Sequence, residues 1–200
     1  MSLGPEALAT LLFVTGNAGK AREASVLLGR PVEARELVLR EIQSLDFEEV
    51  ARAKAVEACR RIGKAVLVED SGLAVAAWGG YPGPLTRWAM EAAGPAGLAR
   101  MLDPFPDRRA DAVSVLAVVR PGDGEGDVLV ATGRLAGSIA PVPRGSGGFG
   151  WDVLFVPAGE TRTFAEMTAA EKNAVSHRAR AFHALRHILE GPERGPHNLD

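Results

Sequence analysis

An α/β fold on a mixed or parallel sheet is what this sequence predicts, from three observations. Strand-like apolar runs alternate with helical segments in the order β-α-β-α-β between residues 10 and 70. Further on, ADAVSVLAVV and DVLVATGRL flank the turn-forming PGDGEG, the pattern of a long hairpin. The composition, 46% hydrophobic and 24% charged, is that of an ordinary globular chain, and 200 residues suffice for one domain, with or without a modest second lobe.

TLLFVT, residues 10–15, reads as the first strand and residues 19–29 as the helix after it, with Asn17 placed to cap it. A second strand is expected over residues 32–38. FEEVARAKAVEACRRI, residues 47–62, has helical apolar spacing, Asp46 as N-cap and acidic residues in its first turn, where the helix dipole favours them. AVLVED reads as a short buried strand ending in Glu69 and Asp70. WGGYPGP is turn chemistry before a helix over residues 84–102, interrupted at Gly94-Pro95. After the hairpin come the glycine-rich RGSGGFG and a strand, WDVLFVP. Thr168 and Glu171 form the capping box of a last helix running to about residue 189. One domain over residues 1–190 is expected, with GPERGPHNLD as a frayed or disordered tail.

The formal net charge of −2 argues against a general nucleic-acid or membrane-surface binder, since both need a basic excess or patch. Cys59 is the only cysteine, which leaves no disulfide framework or multi-cysteine zinc site and suits a reducing compartment. No run approaches the roughly 18 apolar residues of a membrane span, and MSLGPEALAT lacks a basic-then-apolar leader, so a cytoplasmic location is expected. Of 23 Lys+Arg residues only Lys20, Lys54, Lys64 and Lys172 are lysines; three of these fall in the motifs below as candidate sites for a compact ammonium, and Lys64, outside them, is expected at the surface.

TGNAGK carries two readings. As a turn, Gly16 and Gly19 relieve steric limits and Lys20 is a solvated charge; as an anion site, the unpaired N–H groups of the helix start and Lys20 meet a phosphate. It is not a Walker A loop, because Ala21 follows the lysine. Glu69 and Asp70 at a strand end, with Glu41 after another, are either polar strand ends or oxygen ligands for Mg²⁺, which uses one or two carboxylates plus substrate phosphates. Phe149, Gly150, Trp151 and Asp152 read as a turn with core aromatics or as a base pocket. Lys172, Ser176 and Arg180 share a helical face beside His177 and Arg178, and His183 with His187 reads as a solvated pair.

In order, TGNAGK, VEDSGL, GGYPGP, GGFGWD and EKNAVSHRARA resemble the inosine triphosphate pyrophosphatase (Ham1-like) family over roughly residues 10–190. The joint signal is far more specific than any single motif. The resemblance implies a long mixed sheet flanked by helices, two lobes with an active-site cleft between them, a homodimer, and Mg²⁺-dependent hydrolysis of ITP, dITP and XTP to monophosphate and pyrophosphate. It assigns the triphosphate to Thr15, Gly16, Asn17, Lys20 and Lys54, and the metal to Glu41 and Asp70. Asp70, with Glu69 beside it, activates water, and Lys20 assists. Phe149, Gly150, Trp151, Asp152, Lys172, Ser176, His177 and Arg178 take the base, with Arg178 or His177 donating to the purine 6-oxygen and Asp152 accepting from N1–H. Three departures stand out: Arg40 and Val153 where proline is common, and Arg87, expected to bind substrate, where related enzymes carry lysine, so that the positive charge survives but the donor geometry changes. The competing classes are a nucleotide sensor without turnover and a pyrophosphatase for another altered nucleotide.

Overall fold

The computed structural model describes residues 11–190; the expected tail and residue 10 of the first strand lie outside them. A seven-stranded mixed sheet forms the centre, in the order β2-β1-β3-β5-β6-β7, with β4 paired to β3. Strand β1 (Leu12–Val14) runs parallel to β2 (Ala34–Arg35) and to β3 (Val66–Val75). Strand β3 is antiparallel to β4 (Pro82–Gly83) and β5 (Arg109–Val119). The hairpin continues through β6 (Leu129–Ile139) to β7 (Phe155–Pro157), again antiparallel.

Helices cover both faces. Helix α1 (Ala18–Leu27) starts at Asn17, whose side chain accepts from the Gly19 and Lys20 amides. Helix α2 (Phe47–Ile62) is capped by Asp46 and stopped by Gly63 in the left-handed region (φ 72°). Helix α3 (Thr86–Arg100) is broken at Gly94 (φ 66°, ψ 170°), as the Gly-Pro step predicts. Helix α4 (Ala169–Val175) has the expected Thr168–Glu171 capping box, and α5 (His177–Glu190) follows. No helix among the described residues is long and apolar enough to cross a membrane.

Three apolar cores organise the sheet. Helix α2 packs on one face against Val66, Val68, Val113, Val115 and Ala117. The opposite face packs Leu67, Leu116, Val118 and Ala131 against Ala24 of α1 and Ala181, Phe182 and Leu185 of α5. Beyond, the far halves of β3, β5 and β6 enter a further core with Leu98 from α3, Leu102 from the turn after it, and Phe155 and Phe164. The three long strands therefore carry a helix-covered region at each end.

The expected boundaries change in four places. Strand β3 does not end at the carboxylates: β5 pairs with it from Val66 to Val75, so Glu69 and Asp70 lie mid-strand. What ends there is β1, whose last register partner on β3 is Val68, so the α1 loop opens beside the carboxylates. Strand β2 is only Ala34–Arg35, exposed at the sheet edge. Trp151 and Asp152 belong to a 3₁₀ turn (Gly150–Val153) rather than to a strand. The last helix breaks at Ser176, whose extended backbone (φ −62°, ψ 156°) starts a new helix. Arg180 is therefore exposed, while Lys172, Ser176, His177 and Arg178 are buried.

Candidate active site

Consecutive residues of a strand point to opposite faces, and β3 uses this to carry two clusters. Asp70 lies on the α2 face. Its Oδ1 accepts from Lys54 Nζ at 2.7 Å, and the same ammonium is 2.8 Å from Glu41 Oε1. Glu41 is fixed from its other side by Trp88 Nε1, which donates to Oε2 at 3.0 Å. Burial raises the Asp70 carboxyl above its usual range, against the pull of Lys54 and Lys20. Burial also pushes the Lys54 ammonium down, but Asp70 and Glu41 outweigh it and hold the lysine protonated.

Asp70 Oδ2 is buried without a hydrogen-bond partner. Among the described residues no group of three or more His, Cys, Asp or Glu side chains converges. An orphaned oxygen beside a second converging carboxylate fits Mg²⁺, which completes its octahedron with phosphate oxygens and water.

Glu69 lies on the opposite face, 0% exposed at its side chain. Arg178 Nε donates to its two oxygens at 2.9 and 3.0 Å, and Ser114 Oγ donates to Oε1 at 2.8 Å. Burial alone would raise this carboxyl, but Arg178 and Lys20 overcome it and keep it below the usual range. Lys20 Nζ approaches the Glu69 carbonyl at 3.4 Å and Oε2 at 4.0 Å, and burial lowers its pKa despite Glu69. The Glu69 carboxylate is thus engaged by Arg178 and Ser114 on the face away from Asp70.

A second carboxylate completes this face. Glu23 of α1 accepts from Lys172 Nζ at 2.8 Å and from Arg178 Nη1. Lys172 also donates to Asp152 Oδ2 at 2.5 Å, and that oxygen accepts from the Phe149 amide at 2.8 Å. Burial raises the Asp152 carboxyl against Lys172. The Phe149 ring lies under Lys172 (4.6 Å to the centroid) and Arg178 (5.4 Å), a cation–π arrangement. It rests on Gly19, where a Cβ would come within 2.5 Å of ring atom Cδ1, so the glycine of TGNAGK makes room for the aromatic of GGFGWD. His177 is held between Trp151 (5.1 Å) and Phe164 (6.0 Å). Both its ring nitrogens are buried without partners, and burial holds the imidazole neutral.

The remaining named residues fall as follows. Thr15 Oγ1 accepts from the Asn17 amide at 3.1 Å, and Gly16 faces Glu36. Gly150 has φ 60°, which favours glycine at this turn. Ser176 Oγ accepts from the Ala179 amide at 3.1 Å and so caps α5. Arg87 lies at the rim: its side chain is 68% exposed, its Nε donates to Glu91 at 2.8 Å, its guanidinium lies over the Trp88 ring at 5.3 Å, and its charge reaches Glu41. Lys64 is exposed, as are His183 and His187.

Sequence reasoning missed Glu23, Ser114 and Trp88. Glu23 follows Lys20 by three residues and so shares its helical face. Ser114 is the one hydroxyl in the apolar stretch from Ala112 to Val119, and a buried hydroxyl needs a partner. Nothing local marks Trp88.

Known proteins carry the same arrangement of sequence and fold. The chain is 40% identical to a dITP/XTP pyrophosphatase of Methanopyrus kandleri, over 86% of this chain and 92% of that one. It is 43% identical to the inosine triphosphate pyrophosphatase of Yarrowia lipolytica, over 90% and 95%. The crystal structure of a nucleoside-triphosphatase / dITP/XTP pyrophosphatase from Mycobacterium abscessus superposes with a TM-score of 0.69 at 40% identity, covering 88% of this chain and 97% of that one. A family model spans residues 11–188, nearly everything the structure describes, and by that match the chain belongs to the Ham1 family.

Proposed function

We propose that this protein is a Mg²⁺-dependent pyrophosphatase that hydrolyses ITP, dITP and XTP to the monophosphate and pyrophosphate, as a cytoplasmic homodimer bound to neither nucleic acid nor membrane. The observation that carries the reading is the division of labour across β3: oxygen ligands and Lys54 on one face at Asp70, base donors on the other at Glu69, with the α1 loop and Lys20 at their common edge. Relatives named dITP/XTP and inosine triphosphate pyrophosphatases support the substrate class.

Glu41 and Asp70 would hold Mg²⁺, which supplies Lewis-acid polarisation of the phosphate oxygens. With the Thr15, Asn17, Gly19 and Lys20 amides already engaged, the Thr15–Lys20 loop would meet phosphate oxygens through its remaining amides, and Lys20 and Lys54 offset the charge that develops on them. The Asp70 carboxylate accepts a proton from the attacking water, whose oxygen bonds to the α-phosphorus while the bond to the pyrophosphate oxygen breaks. Glu69, engaged by Arg178 and Ser114, orients rather than abstracts.

At the base, hypoxanthine and xanthine present an O6 acceptor and an N1–H donor. Arg178 or His177 donates to the first and Asp152 accepts from the second. Adenine reverses that edge and leaves buried polar groups unpaired, which costs binding.

The test is product analysis with Mg²⁺ on ITP, dITP, XTP, GTP, ATP and dUTP, separating pyrophosphate from orthophosphate. IMP, dIMP and XMP with pyrophosphate, and ATP and GTP spared, is the expected result. Tight ITP binding without turnover would instead make the protein a nucleotide sensor.

A further inference from the structure

The polar layer beneath α5 contains one hydroxyl to which the mechanism above gives no contact with the substrate. Ser114 is 0% exposed in the middle of β5, and its hydroxyl is spent on Glu69 Oε1 at 2.8 Å. The strand register places it in a row of small residues: Ser71 stands opposite Ser114 on β3, and Gly133 opposite Ser114 on β6. This row leaves a trough in the sheet face. At Gly133 a Cβ would lie 2.0 Å from the His177 carbonyl oxygen and 2.3 Å from the Ala181 nitrogen, so the first turn of α5 sits directly on the backbone there.

Arg178 lies along that trough, with Nη2 3.5 Å from Ser71 Oγ and Nε shared between the two oxygens of Glu69. One N–H divided between two oxygens leaves the carboxylate plane poorly defined, because the terminal torsion of glutamate is broad. Lys20 Nζ, 4.0 Å from Oε2, is too far to fix it by a hydrogen bond. The Ser114 hydroxyl singles out Oε1 and removes that freedom.

We propose that Ser114 is a positioning residue: acting through Glu69, it sets the angle at which Arg178 presents its guanidinium to the 6-oxygen of the purine. The base contact rests on the function proposed above; the chain Ser114–Glu69–Arg178 stands without it.

The experiment follows the Nε–H resonance of Arg178 by ¹⁵N NMR in the intact chain, assigned by its loss in Arg178→Lys. Ser114→Ala is expected to speed hydrogen exchange of that proton roughly five- to tenfold, the factor one hydrogen bond of ordinary strength supplies. KM for ITP is expected to rise by a similar factor with kcat nearly constant. Where Ser114→Ala fails to fold, Ser114→Cys, which keeps the volume and a weak donor, carries the same measurement with a smaller rise. Unchanged exchange in a folded variant overturns the proposal. A lowered Tm with exchange and KM both unchanged makes Ser114 a packing residue and overturns it equally. Should the wild-type chain fail to hydrolyse ITP, the functional reading falls while the exchange rate still decides this one.

Discussion

Lys54 Nζ stands 2.7 Å from Asp70 Oδ1 and 2.8 Å from Glu41 Oε1, so one ammonium already joins the two carboxylates proposed to hold the metal. The site is thereby assembled without a divalent ion. Chelation with EDTA is expected to abolish ITP turnover while leaving the far-UV circular dichroism and Tm within error. A cooperative loss of structure on chelation would show that the ion, and not Lys54, holds these elements together.

Asp70→Asn keeps the shape of the side chain and removes its basicity. Turnover should fall by about 10²–10⁴-fold, the usual worth of a general base, with ITP binding largely spared. Stopped assays and equilibrium binding on the same preparation separate the two, and retained turnover would remove Asp70 from the mechanism.

The pH profile follows from the direction of the same group. Burial holds the Asp70 carboxyl of the metal-free protein above its ordinary 3.8, and only its ionised form binds Mg²⁺, so the acidic limb of Mg²⁺ affinity should lie above that value. Lys54→Met removes the charge that pulls the carboxyl down and should move the limb to higher pH. For stability the two neighbours act with opposite sign. The raised Asp70 favours the folded state fully below its unfolded pKa and loses that contribution as pH rises through the folded one. The depressed Glu69 contributes above its unfolded pKa and loses its contribution as pH falls through the folded one.

Glu69→Gln leaves the fully buried Arg178 with Glu23 as its remaining carboxylate partner. Breaking a buried pair from one side costs about 3–5 kcal/mol, and urea unfolding at neutral pH should register a loss of that order. A change below about 1 kcal/mol, the worth of an exposed pair, would mean that the guanidinium is not held as described.

Arg87 offers a contrast. Exposed and paired with Glu91, it is expected to matter little: Arg87→Ala should change kcat/KM for ITP less than about threefold, in keeping with an exposed i, i+4 pair. Lys20→Ala and Lys54→Ala in parallel should cost far more. A comparable loss at Arg87 would return it to the phosphates.

Much of this architecture could be read from the sequence because its signals are local. Asn17, Asp46 and the Thr168–Glu171 box declare helix starts through bonds made within three residues, and the expected bounds of α2 coincide with those observed. The expected end of β3 was wrong because SGLAV is held in the sheet by β5, a partner remote in sequence. The break at Ser176 has no glycine or proline to announce it; it leaves His177 and Arg178 at the start of α5, where Arg178 meets Glu69, 109 residues away in sequence. Glu23 and Ser114 were missed for the same reason, since their worth lies in partners that only the closed fold supplies.

The adjacency of Glu69 and Asp70 makes the register of β3 against β5 a single point of failure. A one-residue slip would turn Asp70 toward Arg178 and Glu69 toward Lys54, exchanging the two chemistries between the faces. Fidelity of substrate choice and competence to cleave would then vanish together. Errors in this strand should yield inert molecules rather than active ones that attack ordinary nucleotides.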